Sequence, residues 1–510
     1  MTAQLDLLKE RLAVIHNLNR AGSVLGWDQQ TYMPPGGSHA RGEQMATIGR
    51  LAHETFVAGE TGELLQTAAE EVKDLPAGSD DASLVRVAQR DYDQQRKIPA
   101  ELVAEMTRHG AEAFQVWARA RERNDYPAFA PYLQKTIGYS RQVAELLGYE
   151  DQPYDALLDI FEPGMKTAQV AAIFEELKKD LIPLVHAIAE RQDRVDDSVL
   201  HQEFDEAKQE AFGKMAAGLY GYDFTRGRLD RTVHPFETSF SRNDVRITTR
   251  YEPDFFNPAF FSTLHETGHG LYEQNVGESL EGSLLARGAS LGLHESQSRM
   301  WENVVGRSRG FWQYLYPQLQ QTFPEALKDV DLDTFYRAIN KVEPSLVRVE
   351  ADEVTYNLHI MLRFEMELGF LDGSLSVDDG PEIWNQKMQS YLGITPPNDS
   401  LGILQDVHWS HGLMGYFTTY SLGNILSLQL YDAAIKARPE IPQQISQGRP
   451  DTLRCWLEEN LYRHGRKFEP NELVQRITGE PIQSRSYMRY LKEKFGEIYG
   501  LDKSLPSPTQ

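Results

Sequence analysis

Apolar residues recurring every three to four positions constrain the fold of this chain more than any other feature. Leu5, Leu8, Leu12, Ile15 and Leu18 form one such stripe, and Val170, Ile173, Leu177 and Leu181 form another that runs up to Pro183. This spacing puts apolar side chains on one face of an α-helix. Long helices are therefore expected to dominate. Met33-Pro34-Pro35-Gly36-Gly37, Leu75-Pro76-Ala77-Gly78 and Thr395-Pro396-Pro397-Asn398 punctuate them as turns rather than as flexible linkers. No shift in composition marks a domain boundary, and no repeat of fixed period or low-complexity tract is visible, which argues against a solenoid. The tail from Pro506 to Gln510 is expected to fray.

One segment breaks the helical pattern. Between Arg231 and Tyr251, the β-favouring residues Thr232, Val233, Phe236, Phe240, Val245, Ile247 and Thr249 flank the turn-like Ser241-Arg242-Asn243-Asp244, which predicts a hairpin. An open edge strand there can hold an extended peptide by main-chain hydrogen bonds, and a purely structural hairpin is the alternative.

Composition narrows the partners. With 41% hydrophobic and 25% charged residues over 510 positions, the chain has ample material for a globular core, although length alone leaves the domain count open. A formal net charge of −23 disfavours nucleic acid and anionic membranes, both of which call for a basic surface. The single cysteine, Cys455, excludes an intramolecular disulfide and a multi-cysteine zinc site. Met1 to Leu25 reads as an amphipathic helix interrupted by Lys9, Glu10 and Arg11, without the apolar run of a signal peptide. No stretch approaches the roughly 20 apolar residues of a membrane span. A reducing cytoplasm is the expected compartment.

The chemistry concentrates at His265-Glu266-Thr267-Gly268-His269. At this composition the pattern would arise by chance only about 0.03 times in such a chain, so it needs a functional account. On a helix the two histidines share a face and can hold one metal ion, with Glu266 beside them as general base. Pro258 to Phe261 opens that helix, and Phe261, Leu264, Gly268, Leu271 and Tyr272 carry it through Glu273 or Gln274. Gly268 inside it costs about 1 kcal/mol against Ala, which suggests a close neighbour beside the ligands or a tight helix contact. Catalytic zinc takes a third protein ligand. Glu295, on the helix-like stretch Leu291 to Met300 beyond the glycine-rich connection, is the candidate; His294 is its rival, but adjacent helical residues point about 100° apart, so only one can face the ion. Zinc chemistry with Glu266 as proton carrier makes amide hydrolysis the natural reaction.

The chain resembles the thermostable, Taq-type metallocarboxypeptidases over nearly its full length. Six motifs stand in the family's order: His234-Pro235-Phe236, Asp244 to Thr248, His265 to His269, His294 to Gln297, Val347 to Asp352, and Gly402 to Trp409. Val347 departs from the usual Ile or Asn. Trp27-Asp28 and Gly415 to Tyr420 also look like the family. The resemblance implies a mainly α, single-domain body spanning 1–510 with a deep active-site groove, a small sheet at about 231–251 and metal-site helices at about 259–305. It is similar to the neurolysin and angiotensin-converting-enzyme folds and is usually a homodimer. It further implies removal of single C-terminal residues with broad specificity and poor action near proline. Zinc, sometimes cobalt, would be held by His265, His269 and Glu295, with Glu266 as acid/base.

Other roles stay open. Asp244, Arg246 and Thr248 share one strand face and could line a groove together. Arg246 and Arg348 are each candidates for gripping the substrate carboxylate or for an ion pair, Arg348 with Asp352 in particular. His234, His408, Tyr416 and Tyr420 are the oxyanion-donor candidates, Tyr420 preferred, with ordinary packing as the alternative. Asp406 is a candidate for orienting a metal-ligating histidine, and Trp409 belongs to the core. The function expected is a zinc carboxypeptidase acting on peptides with a free C-terminus. An oligopeptidase or dipeptidyl carboxypeptidase with the same site, or a non-catalytic zinc-binding helical protein, are the alternatives.

Overall fold

The computed structural model describes residues 3–501, so the expected fraying of Pro506 to Gln510 lies outside the described residues. Its described residues form twenty-one α-helices and one three-stranded sheet, a mainly α fold. The contacts divide the chain into two compact units. One comprises residues 3–96, Asp197–Ile339 and Leu430–Gly479; the other comprises Lys97–Asp196, Asn340–Gln429 and residues 480–501.

In the first unit the opening helix, Ala3–Thr31, buries Leu5, Leu8, Leu12 and Ile15 towards helices Ser38–Val57 and Gly59–Val72. It runs six residues beyond Leu25, and Leu18 is only half-buried. An aromatic cluster of Phe204, Phe212, Phe256, Phe260, Trp312 and Phe335 fills the core beneath helix Asn257–Gln274. Rings of this size bury on the order of 150–250 Å² each, so the cluster anchors that helix through apolar burial.

The sheet differs instructively from the expected hairpin. Strands β2 (Glu237–Ser241) and β3 (Asp244–Thr249) pair antiparallel through the Arg242-Asn243 turn, with a bulge between Ser239 and Ser241. Thr232 and Val233 fall outside it: Thr232 follows the preceding strand, its N–H still bonded to the Thr249 carbonyl at 3.0 Å, Val233 is 88% exposed, and β2 begins only beyond Pro235, which has no N–H to give a ladder. A third strand, β1 (Gly227–Arg231), lies parallel to β3, giving the order β1-β3-β2. The edge strand β2 is partly covered: Arg20 donates to the Ser239 carbonyl at 2.5 Å.

In the second unit Val170, Ile173, Leu177 and Leu181 are buried on helix Thr167–Ala189 as the pattern requires. Pro183 does not end it. The helix continues to Ala189, where burial of Leu184, Val185 and Ile188 outweighs the one backbone bond that proline removes. Helix Tyr356–Asp372 is buried on nearly every side, and Trp409 is core, donating through Nε1 to Glu367 at 2.8 Å.

Candidate metal centre and active site

His265 and His269 sit in the middle of helix Asn257–Gln274, their ring centroids 5.0 Å apart. Helix Leu291–Arg299 crosses at Gly268, where a Cβ would lie 2.6 Å from the Ser298 Cα and closer still to the Gln297 carbonyl. The glycine is thus required by backbone contact with the neighbouring helix. That helix is started by Ser290, whose Oγ accepts from the Leu293 N–H at 3.1 Å. The crossing delivers Glu295. Its Oε2 stands 3.6 Å from His265 Nε2 and 3.5 Å from His269 Nε2. Bonds of about 2.0–2.2 Å to a tetrahedral ion imply donor separations of roughly 3.3–3.5 Å, so this nitrogen, nitrogen, oxygen set fits zinc with little movement.

His294, the rival ligand, is turned to other partners. Its Nε2 lies 2.9 Å from Glu273 Oε1 and its Nδ1 2.5 Å from His269 Nδ1, so it steadies the outer edge of the His269 ring. The corresponding partner of His265 is Glu302, whose Oε2 is 2.9 Å from Nδ1. Glu302 lies in a π-helical turn, Met300–Val305, and is itself held by Arg299 at 3.3 Å and Arg307 at 3.6 Å. Sequence reasoning missed it. The available signal was its place two helical turns after Glu295, on the same face.

Burial and charge set the protonation states. Burial pushes the Glu266 carboxyl up to about 7; His265 opposes this, and the like charges of Glu295 and Glu302 reinforce it. Burial pushes His269 down to about 3, leaving its imidazole neutral. Burial also works against a charged His265, but Glu295 and Glu302 override it and raise that histidine. For Glu295, burial is outweighed by Arg299 and His265, which hold its carboxyl well below the usual range. The negative charge gathered here is of the kind a divalent cation neutralises.

The remaining candidates fall into two groups. On the sheet, Arg246 is clamped by Asp244 through two 2.8 Å bonds and lies over the Trp27 ring at 4.2 Å and Phe240 at 4.8 Å. Thr248 does not join them on an open surface: it is fully buried, its hydroxyl bonded to both the N–H and the carbonyl of Phe236. His234 is exposed in the β1–β2 connection.

In the second unit, three oxyanion candidates form one cluster. The Tyr420 hydroxyl is 3.2 Å from His408 Nε2, and Tyr416 packs 5.5 Å from His408 and 5.4 Å from Tyr420. Burial pushes His408 down to about 3, so it is neutral. Arg348 lies 5.1 Å over the Tyr420 ring. Its ion-pair partner is Asp406, at 2.7 Å, and not Asp352, which instead bonds the backbone of Val354 and Thr355. Residues Arg348–Glu350 form a short 3-10 turn rather than the start of a helix, which takes Asp352 off that face. Asp406 also pairs with Arg363, so its carboxylate is committed to two guanidinium groups and not to a metal-ligating histidine. Arg363 was not legible beforehand.

A mainly helical protein that pairs two histidines and a glutamate on one helix with a carboxylate from the next belongs, as a class, with the metallopeptidases. Comparison with known proteins makes this specific. The family model described as carboxypeptidase Taq (M32) metallopeptidase matches residues 7–495. The chain is 41% identical over 492 residues to thermostable carboxypeptidase 1 of Thermus thermophilus, covering 94% of this chain and 96% of that protein. It is 40% identical over 497 residues to carboxypeptidase 1 of Bacillus subtilis, covering 97% of each. Among solved structures it is similar to the M32 carboxypeptidase of Deinococcus radiodurans R1, with TM-score 0.95, 40% identity and coverage of 98% and 100%. The chain belongs to the carboxypeptidase Taq (M32) metallopeptidase family. It is a metallocarboxypeptidase, a peptide hydrolase.

Proposed function

We propose that this enzyme holds zinc on His265, His269 and Glu295 and releases single C-terminal residues from peptides, with broad specificity and weak action beside proline. The observation that carries the metal assignment is the approach of one Glu295 oxygen to both histidine nitrogens, at 3.6 and 3.5 Å, next to Glu266. When bound, zinc supplies Lewis-acid chemistry, lowering the pKa of water towards about 7 and polarising the peptide carbonyl. Glu266, with its carboxyl pushed up to about 7 by burial, takes the proton of the attacking water and returns it to the leaving amine.

The terminal carboxylate needs a fixed cation. Arg348 and Arg363 share the single carboxylate of Asp406, which leaves one positive charge over, whereas Asp244 fully matches Arg246. Arg348 is therefore favoured for that role and Arg246 for supporting the sheet. Tyr420, partnered by neutral His408, is favoured as the oxyanion donor. Cobalt would suit the same donors. Assembly as a homodimer rests on the resemblance, and work in the cytoplasm on cysteine usage, since the single, exposed Cys455 is compatible with a reducing compartment.

The test is a peptide offered with a free C-terminus and as its C-terminal amide, with products followed over time by mass spectrometry. A one-residue ladder from the free acid alone is expected. Equal cleavage of acid and amide would remove carboxylate recognition, and loss of two residues at a time would make the enzyme a dipeptidyl carboxypeptidase.

A further inference from the structure

A cavity of about 320 Å³ lies within the first unit, between helices Ala3–Thr31, Ser38–Val57 and Asp80–Lys97 and the glycine-rich connection that joins the two metal-site helices. Its charge runs against that of the molecule. In a chain of net charge −23, three arginines, Arg20, Arg287 and Arg466, line it with a single aspartate, Asp91. Asp91 is spent on Arg466, which grips it with two bonds of 2.8 and 3.0 Å. Arg20 donates only to uncharged oxygens, those of Ser239 and the Ala286 carbonyl. The Arg287 guanidinium has no hydrogen bond or ion pair among the described residues, and its side chain is open to solvent. Arg466 beside it pushes the Arg287 pKa down to about 10, so at neutral pH it stays charged next to another cation. Asp91 and Glu273 face Arg287, and Glu273 also faces Arg20, but neither carboxylate bonds these two guanidinium groups, so both lack an ion-pair partner among the described residues. A water molecule takes about 30 Å³ in the liquid, so the space admits a small side chain as well as solvent.

The cavity is tied to the metal site. Ser239, which accepts from Arg20, donates to Glu273 at 3.1 Å; Glu273 stands 2.9 Å from His294, and His294 2.5 Å from His269. Gly288, next in sequence to Arg287, donates its N–H to the same Glu273 carboxylate at 2.9 Å. Ser239 and Gly288, which adjoin the cavity's Arg20 and Arg287, are thus joined to His269 through Glu273 and His294, and an extended peptide, advancing roughly 3.3 Å per residue, covers a separation of that order in a few residues.

We propose that the cavity is a carboxylate-binding subsite, in which Arg287, with Arg20 and Arg466 beside it, receives an aspartate or glutamate side chain of the peptide substrate upstream of the scissile bond. This rests on the reading of the enzyme as a peptidase that cuts beside Glu266. The subsite selects among peptides and plays no part in the chemical step.

The test compares peptides that differ only in one Glu or Gln, placed in turn at successive upstream positions, by kcat/KM with the zinc-loaded enzyme. At one position Glu is expected to exceed Gln by about tenfold, the worth of one charge-assisted contact. Arg287→Gln should bring that ratio to near one, and Arg287→Glu should turn the preference towards Lys at the same position. A merely structural arginine would not reverse it. Millimolar inorganic phosphate should slow the Glu peptide more than the Gln peptide. Ratios near one at every position overturn the subsite, as does a ratio that survives Arg287→Gln. Phosphate that instead stimulates the Gln peptide would make this a free-anion site and overturns it equally. Failure to release any C-terminal residue from the Gln peptides would count against the carboxypeptidase reading and not against the subsite.

Discussion

At the scale of single residues, the site separates holding a metal from moving a proton. Glu266 lies on the helix of the two histidines, but none of the three close donor atoms is its own. Glu266→Gln is nearly isosteric and cannot carry a proton, so zinc content should stay near one per chain while kcat falls by about 10²–10⁴-fold. Metal analysis beside peptide kinetics checks this, and undiminished hydrolysis would refute the assigned base. Glu295→Ala removes an oxygen lying within 3.6 Å of both histidine nitrogens, and zinc should be lost outright on dialysis. His294→Ala leaves all three donors in place and should keep most of the metal; the opposite pair of results would exchange the two roles. Glu302→Ala strips the outer nitrogen of His265 of its 2.9 Å partner and removes a carboxylate that Arg299 and Arg307 share. Orienting partners of this kind are worth about 10–100-fold in metal affinity, which a competitive chelator titration would read. An unchanged affinity would reduce Glu302 to an ordinary ion-pair partner.

At the scale of elements, the site depends on how closely two helices cross. Alanine at 268 would gain about 1 kcal/mol in helix propensity. Its Cβ, however, would stand 2.6 Å from the Ser298 Cα, a clash with backbone that no rotamer relieves. Overpacking costs about 1–3 kcal/mol and here pushes the Glu295 helix outward, so the clash wins. Gly268→Ala should lower both the thermal midpoint and zinc retention; a more stable, fully loaded variant would show that the crossing tolerates a methyl group. Both helices were legible in the sequence, because Pro258, the apolar spacing and the paired histidines are local signals. So were the β2–β3 turn and the buried stripes at Leu5 to Ile15 and Val170 to Leu181. What escaped was non-local. β1 carries one apolar residue, Leu229, among Gly227, Arg228, Asp230 and Arg231, and pairs in parallel with a strand whose register no local pattern announces. Arg348 and Asp406 meet across 58 residues of chain, so the nearer Asp352 looked the better partner. The π-turn that presents Glu302 has no periodicity of its own to read.

At the scale of the molecule, the question is whether the metal builds the fold or only occupies it. The HExxH helix rests on Phe256, Phe260 and Trp312, and the Glu295 helix is fixed at Gly268 and begun by the Ser290 cap, none of which involves an ion. Each unit, moreover, is drawn from three separated stretches of the chain, so its order comes from many contacts remote from the site. Chelation should therefore abolish peptide hydrolysis and leave the far-ultraviolet circular dichroism of the helices almost intact. Stability should still fall, because a ligand that binds only the folded state adds about 4 kcal/mol when present at a thousand times its dissociation constant. Without the ion, Arg299, Arg307 and the histidines are the main charges that balance Glu266, Glu295 and Glu302 among the described residues. A lower thermal midpoint restored by zinc, with little change in helix content before melting, is the expected outcome. Loss of most helical signal on chelation would mean that the ion, and not the aromatic core, holds these helices together.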